Sequence, residues 1–410
     1  MENKELSLKA NMLWNSFGSL VNLGSQWLIT ILIVRLGSGY EAAGVFSLAM
    51  SVYNIFAPIG QYRMYTYQVT DVDNENSTGE YLSFRHITNA IALVLCMGYS
   101  LVTCEQKALG AIFLYAVYKS VCLVIDVFHA CDQRHHRMDY IGQSLALQGL
   151  FSLCSFLLIF SVIGSLELSI VAMTIAVLAV GVIYDWPRVK TFGEIRVGIS
   201  ARKASRLAAR CFPIVMASIA ASAATSLPRQ FLSIVSGEAT LGIYAAAAAP
   251  VALIQTGASY IYNPLLGYFS ERFAANDRAG FSSLMIKATF GIVALGLICS
   301  IGVIVLGEPA LVLFYGSKMS GYGYLLLPLV ALSLLTGYMW FINDLLMAVR
   351  NFRGAFIGNA VALAASLFCL PLIEFFGMDG VTYVCLVSCI AGVLAMMGML
   401  AIQLKVHWTC

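Results

Sequence analysis

Tyr115, Lys119, Cys122 and Asp126 recur at intervals of 4, 3 and 4 along one apolar stretch. That spacing puts them on one face of a helix. Lys119 stands near the middle of the stretch, where a lysine in a bilayer crossing costs about 2.5–3.5 kcal/mol on insertion scales. A cation at that depth calls for water or an anion, and Asp126, two turns on, is a poor partner for it. One reading makes Lys119 an anchor for an anionic substrate. The other makes it half of a structural ion pair with a carboxylate on another helix.

A second stripe, Asn15, Ser19, Asn22, Gln26 and Thr30, is spaced 4, 3, 4 and 4. Lipid asks for no such groups, so the stripe faces a wet cavity or packs against another helix. Hydroxyls serve packing well, whereas the three amides favour the cavity. Shorter stripes carry Asn54 with Ser47, Ser51 and Gln61, Arg229 with Ser218, Ser222 and Thr225, Gln255 with Ser259, and Gln148 with Ser144, Ser152 and Ser155. Arg35 and Arg229 fall at the ends of their apolar stretches, either lining the exit of a path or snorkelling to headgroups. The substrate-binding candidates are therefore Asn15, Asn22, Gln26, Arg35, Asn54, Lys119, Arg229 and Gln255. Asp126 and Asp344 are the carboxylates expected at membrane depth. They are candidates for proton or Na⁺ coupling, against the alternative of an interfacial position.

These residues need helices that cross a membrane. The chain has 410 residues, 60% of them hydrophobic and 11% charged, with a net charge of +3 and a mean hydropathy of +0.83. Soluble domains carry about 25% charged residues. Apolar stretches too long and too irregular for barrel strands exclude a β-barrel. The expected fold is an all-α membrane protein with twelve transmembrane helices, at 12–36, 43–60, 86–104, 108–128, 141–163, 168–185, 206–227, 240–263, 282–305, 322–346, 354–376 and 379–405. An interfacial helix is an option at 306–324, and Pro58, Pro213, Pro250, Pro328 and Pro371 are potential kinks. The polar head and long first stretch read as an anchor, not a cleaved signal.

Loop charge gives the orientation. With the N-terminus inside, only Arg35, Lys107, Arg229 and Lys318 of the 24 basic residues fall outside, and Lys119 lies within a span. Both termini are expected on the cytoplasmic side. The basic 186–210 segment joins the halves and lies along the inner surface, by lipid contact or simply by the charge rule.

The chain also repeats itself. Gly39, Gly44, Val45, Phe46 and Ala49 match Gly237, Gly242, Ile243, Tyr244 and Ala247 at an offset of 198. Six spans per half make the repeat parallel, as two six-helix bundles related by a pseudo-twofold axis along the membrane normal. Such repeats are common in transporters, whose substrate path runs between the halves. The expected division is an N-terminal bundle at 1–190, a cytoplasmic linker at 191–205 and a C-terminal bundle at 206–410.

Nucleotide-binding, metalloprotease and hydrolase motifs are absent. No enzyme activity, cofactor, metal or nucleic acid is expected. The cluster from His129 to His136 fits no standard metal spacing. Asn76 to Thr78 has the form of a glycosylation acceptor but falls in a predicted inner loop.

Three segments carry a family resemblance. They are Asn11 to Gly39 with Ala43 to Phe46, Arg63 through Tyr67 and Gln68 to Asp71, and Leu227 to Arg229 with Gly242 to Tyr244. Together they resemble the polysaccharide-exporter branch of the multidrug/oligosaccharidyl-lipid/polysaccharide flippase superfamily. The resemblance implies a flippase that moves a polyprenyl-diphosphate-linked oligosaccharide across a bacterial plasma membrane by alternating access, for cell-surface polysaccharide biosynthesis. It also implies contact with membrane lipids, H⁺ or Na⁺ coupling and association with polysaccharide assembly proteins. Lys119 then suits the diphosphate and the Asn/Gln stripe the sugar hydroxyls, although mid-membrane cations are fewer than in strongly cationic relatives. The alternatives are a drug or cation antiporter of the same superfamily and a membrane-embedded polysaccharide polymerase or ligase, the latter disfavoured by short outer loops.

Overall fold

Apolar runs closed by caps and glycines fold here into helices, and the computed structural model describes residues 8–71 and 75–409. Most of the polar head lies outside the described residues. Every regular element among them is helical. In chain order these are α1 Leu8–Leu36, α2 Glu41–Gln61, α3 Met64–Val69, α4 Thr78–Thr103, α5 Leu109–Arg134, α6 Met138–Ile163 and α7 Leu166–Val180, with a π turn Gly181–Asp185. Next come α8 Trp186–Lys190, α9 Ala201–Tyr262, α10 Leu266–Ala274, α11 Arg278–Tyr315, α12 Leu326–Ala348, α13 Phe352–Cys369 and α14 Leu372–Thr409.

Eleven described segments are long and apolar enough to cross a bilayer. One of them, Ala201–Ala274, holds 74 residues, far beyond the about 20 that one crossing needs. Gly237 breaks it at φ 81°, ψ 165°, so it supplies two spans and the total reaches twelve. Gly237 is also the residue that the sequence repeat aligns with Gly39, in the 37–40 break between α1 and α2. At Gly237 glycine has no Cβ to oppose the positive φ.

The chain divides into two compact units, Met1–Val215 and Met216–Cys410. In the N-terminal unit α1 packs along α6, α6 on α7, and α5 lies among α2, α4 and α7. The α1–α6 seam is backbone against backbone. A Cβ on Gly18 would stand 1.9 Å from the Gly142 carbonyl oxygen, and one on Gly142 2.1 Å from that of Trp14. The segment after α8 is tied to the start of α4. Ser83 Oγ accepts from Gly198 N (2.7 Å), and Lys203 Nζ reaches Glu80 at 2.8 Å.

In the C-terminal unit α12 and α13 both pack on α14, and α11 packs on α12. Ser366 donates to the Ala224 carbonyl at 2.8 Å, and Ser388 to that of Ala362 at 2.7 Å. These short hydroxyl bonds join helices that share small residues, as membrane interiors favour.

Several boundaries differ from the sequence reading. The α4 helix starts at Thr78, two turns earlier than expected. Ser77 caps it by accepting from Glu80 N, and the Glu80 side chain answers to Ser77 N, a reciprocal capping box in a stretch too polar to register as a span. No separate interfacial helix occupies 306–324. Instead α11 runs through Pro309 to Tyr315, and Gly321 N donates to Glu308 Oε1 at 2.8 Å, folding the turn back onto the helix. Pro328 sits in the first turn of α12, where a missing N–H costs nothing. Pro371 lies between α13 and α14. Neither proline kinks a span.

Candidate functional site

The α5 helix carries the candidate residues of the first stripe. Tyr115, Lys119, Cys122 and Asp126 share one face as expected, and His129 continues it one turn on. At 1.5 Å per residue the column runs about 21 Å. Its end near 134 is here called the basic end, after Arg134, Arg137, Arg188 and Lys190.

At the top of the column Lys119 sits among aromatic rings. Its Nζ lies 5.6 Å from the centre of the Tyr115 ring and 5.3 Å from that of Tyr118. Tyr53 of α2 stands edge-on to Tyr115 at 6.0 Å. Ring faces attract a cation without neutralising it. No described carboxylate lies within ion-pair distance of Lys119. The Lys119 amine is therefore held by tyrosine rings and not by a described carboxylate.

Asp126 has a partner that the sequence reading missed. Arg85, assigned there to a loop, lies inside α4 with no exposed surface. Its Nη2 is 3.1 Å from Asp126 Oδ2. Its Nη1 donates to the carbonyls of Gly60 (2.7 Å) and Gln61 (2.6 Å). Those are terminal carbonyls of α2, which the helix leaves without intrahelical donors. One guanidinium thus joins α2, α4 and α5. The earlier start of α4, which the hydropathy pattern concealed, is what brings Arg85 inside.

The basic end holds a denser network. His129 Nε2 lies 2.9 Å from Ser144 Oγ. Ser144 donates to Asp185 Oδ2 at 2.9 Å and accepts from Gln148 Nε2 at 2.9 Å. Asp132, one turn beyond His129, is fully buried. The segment set aside as an unlikely metal cluster thus supplies His129 to a buried network and places the buried Asp132 one turn away. Nothing in the sequence joins His129 to Asp185, because that contact spans separate helices.

Outside the spans, Asp71 organises the loop before α4. Burial opposes its ionisation, but the Tyr81 hydroxyl and the N–H groups of Glu75 and Asn76 outweigh it, holding the carboxyl below its ordinary range. These bonds measure 2.7, 2.9 and 3.1 Å. Asn76 is buried and Ser77 is the α4 cap, so the apparent glycosylation acceptor is part of the structure of this turn.

The other predicted residues are placed as follows. Asn15, Asn22 and Gln26 form a half-exposed stripe on α1, with Gln26 Nε2 donating to Asn22 Oδ1 at 3.4 Å. The backbone of this face packs on α6, since a Cβ on Gly149 would come within 2.7 Å of Asn22 Cα. Helix packing and side-chain exposure thus coexist on one stripe. Arg35 and Asn54 are exposed, on α1 and α2, although Ser47 and Ser51 on the same α2 stripe are buried. In the C-terminal unit Arg229 and Gln255 are half-buried on either side of the Gly237 break. Asp344 accepts from the Tyr262 hydroxyl at 3.2 Å and from Asn343 Nδ2 at 3.3 Å. Asn359, itself buried, donates to Asn343 Oδ1 at 3.0 Å.

Comparison with known proteins places this fold. No protein-family model matches the chain. A capsular polysaccharide biosynthesis protein, CapF of Staphylococcus aureus, is 23% identical over 354 residues, covering 85% of this chain and 87% of the relative. Among solved structures, the lipid II flippase MurJ in an inward closed conformation aligns with a TM-score of 0.75 at 13% identity, covering 97% of this chain and 89% of MurJ. A point mutant of the Vibrio cholerae MATE transporter VcmN aligns at 0.66 and 14% identity, covering 98% of both chains. The chain is a multi-pass membrane protein with the fold shared by these flippases and transporters.

Proposed function

We propose that the chain is a flippase that carries a polyprenyl-diphosphate-linked oligosaccharide across the plasma membrane of a bacterium by alternating access, for cell-surface polysaccharide assembly. The observation that carries this reading is the tyrosine-boxed Lys119. A half-buried cation among tyrosine rings and without a carboxylate suits an anionic group that comes and goes, because a permanent ion pair would already fill the position. The likeness to CapF supports a polysaccharide substrate, and the MurJ fold supports a lipid-linked one. In this reading the diphosphate meets Lys119, and Asn15, Asn22 and Gln26 on the half-exposed α1 stripe meet sugar hydroxyls. Arg35, Asn54, Arg229 and Gln255 are further polar contacts, and the basic end faces the cytoplasm.

The fold shared with VcmN favours one alternative, a drug or cation antiporter. The two readings ask for opposite charges at the site. In a strain that depends on this chain, Lys119→Ala should accumulate the lipid-linked oligosaccharide and lose surface polysaccharide by at least tenfold. Asp126→Asn should retain most of it. The reverse pattern, with loss at Asp126 and indifference at Lys119, would favour cation antiport.

A further inference from the structure

We propose that Asp132, with His129 and Asp185 beside it, forms a proton-binding site at the basic end of the N-terminal unit, holding one proton while that end is closed. The proposal rests on the transporter reading only for its coupling role; the site itself follows from hydrogen-bond and charge balance.

Ser144 has a single hydroxyl proton. It gives that proton to Asp185 Oδ2, so it must accept from His129 Nε2, 2.9 Å away. His129 Nε2 therefore carries hydrogen. The same nitrogen lies 3.6 Å from Asp185 Oδ1, which makes His129 and Asp185 a pair. Asp132 is left over. It has no exposed surface, and neither of its carboxylate oxygens has a hydrogen-bond donor.

The neighbouring charges are engaged elsewhere. From the start of α6, Asp139 is held by Arg137 through two bonds of 2.9 and 2.8 Å. From α4, Arg85 holds Asp126. Arg188 of α8 lies over the Tyr184 ring, 3.4 Å from its centre, and donates to the Tyr184 carbonyl. The Tyr184 hydroxyl donates to Gln143. From α3, the Tyr65 hydroxyl donates to Gln133. The imidazole is thus taken by Asp185, while the buried Asp132 carboxylate, one helical turn from His129, has no donor. An ionised carboxylate with unanswered lone pairs is far costlier to bury than a neutral acid. The proton belongs on Asp132.

The π turn supplies the means of opening. Wide turns of this kind recur at functional sites, and here the turn ends on Asp185. Tightening it to an α turn shifts the helix register by one residue and would rotate Asp185 by about 100°, out of reach of Ser144. The carboxylates would then meet water and the Asp132 proton could leave.

Infrared spectroscopy of the purified full chain tests this without any substrate. The wild type should show the carbonyl stretch of a protonated carboxylic acid at neutral pH, shifted in D₂O. Asp132→Asn should lose it, and Asp126→Asn should keep it. Asparagine mimics the protonated acid in shape and charge, so the variant should melt like the wild type. In liposomes with the substrate, Asp132→Asn should still equilibrate it but lose at least tenfold of any stimulation by a pH gradient. A wild type without the band would overturn the site, as would a band that survives Asp132→Asn or one that sodium chloride abolishes at fixed pH. Flipping that fails in every variant while the band behaves as expected would instead count against the substrate reading.

Discussion

Arg85 ties α2, α4 and α5 together through one guanidinium. It satisfies two terminal carbonyls of α2 and the charge of Asp126 at once. Asp126 is 32% exposed, so losing the guanidinium leaves chiefly the α2 carbonyls unanswered, at a cost of about 1–3 kcal/mol. Arg85→Ala should therefore destabilise the purified protein by that amount in thermal or denaturant unfolding. Asp126→Asn should cost less, because both carbonyl bonds survive. Asp71 offers a pH test at the same scale. Its carboxyl is held below the ordinary value of 3.8, so its contribution to stability is complete above that value. It is lost as the pH falls through the lower, folded value. Hydrogen exchange in the 75–81 turn should thus stay protected at pH 5 and loosen only in strong acid, whereas Asp71→Asn should loosen it at pH 7. The place of Lys119 within a span was legible because a charge inside an apolar run is conspicuous. Arg85 and Asp132 were not. Both lie near span ends, where charges are ordinary, and only contacts between distant helices show that they are buried.

Among the elements, the α1–α6 seam has the least tolerance. Gly18 and Gly142 meet each other's helix backbone so closely that a single methyl group cannot fit. Overpacking of this kind costs about 1–3 kcal/mol, and backbone cannot yield as a side chain can. Gly142→Ala should lower the melting temperature and weaken α1 protection in hydrogen exchange. Gly98→Ala is the control. It lies in α4 with nothing near the added Cβ, and alanine is favoured over glycine in a helix interior by about 0.5–1 kcal/mol. A loss of stability at Gly98 equal to that at Gly142 would contradict the seam argument. Hydropathy located the spans well because lipid demands long apolar helices. It misplaced the start of α4 and the end of α11, since capping boxes and a tolerated proline act through local hydrogen bonds, which hydropathy does not register.

For the molecule as a whole, the repeat was the strongest sequence signal. The alignment of Gly39 with Gly237 fell on breaks in both units, and the break at Gly237 separates two spans that are otherwise one helix. Gly237→Ala should strain that break by about 1–3 kcal/mol and slow transport without altering binding, which a substrate titration set beside a rate measurement would separate. What the chain carries was less legible, because a cargo is read from a few polar groups whose surroundings only the folded helices define. The most direct test is reconstitution in liposomes loaded on one leaflet with a polyprenyl-diphosphate-linked oligosaccharide. A sugar-modifying enzyme that cannot cross the bilayer then reports what reaches the other side. Wild-type protein should expose the sugar at least tenfold faster than empty liposomes, and Lys119→Ala should fall to the empty-liposome rate. Equal rates with and without the wild-type protein, or undiminished flipping by Lys119→Ala, would contradict the account.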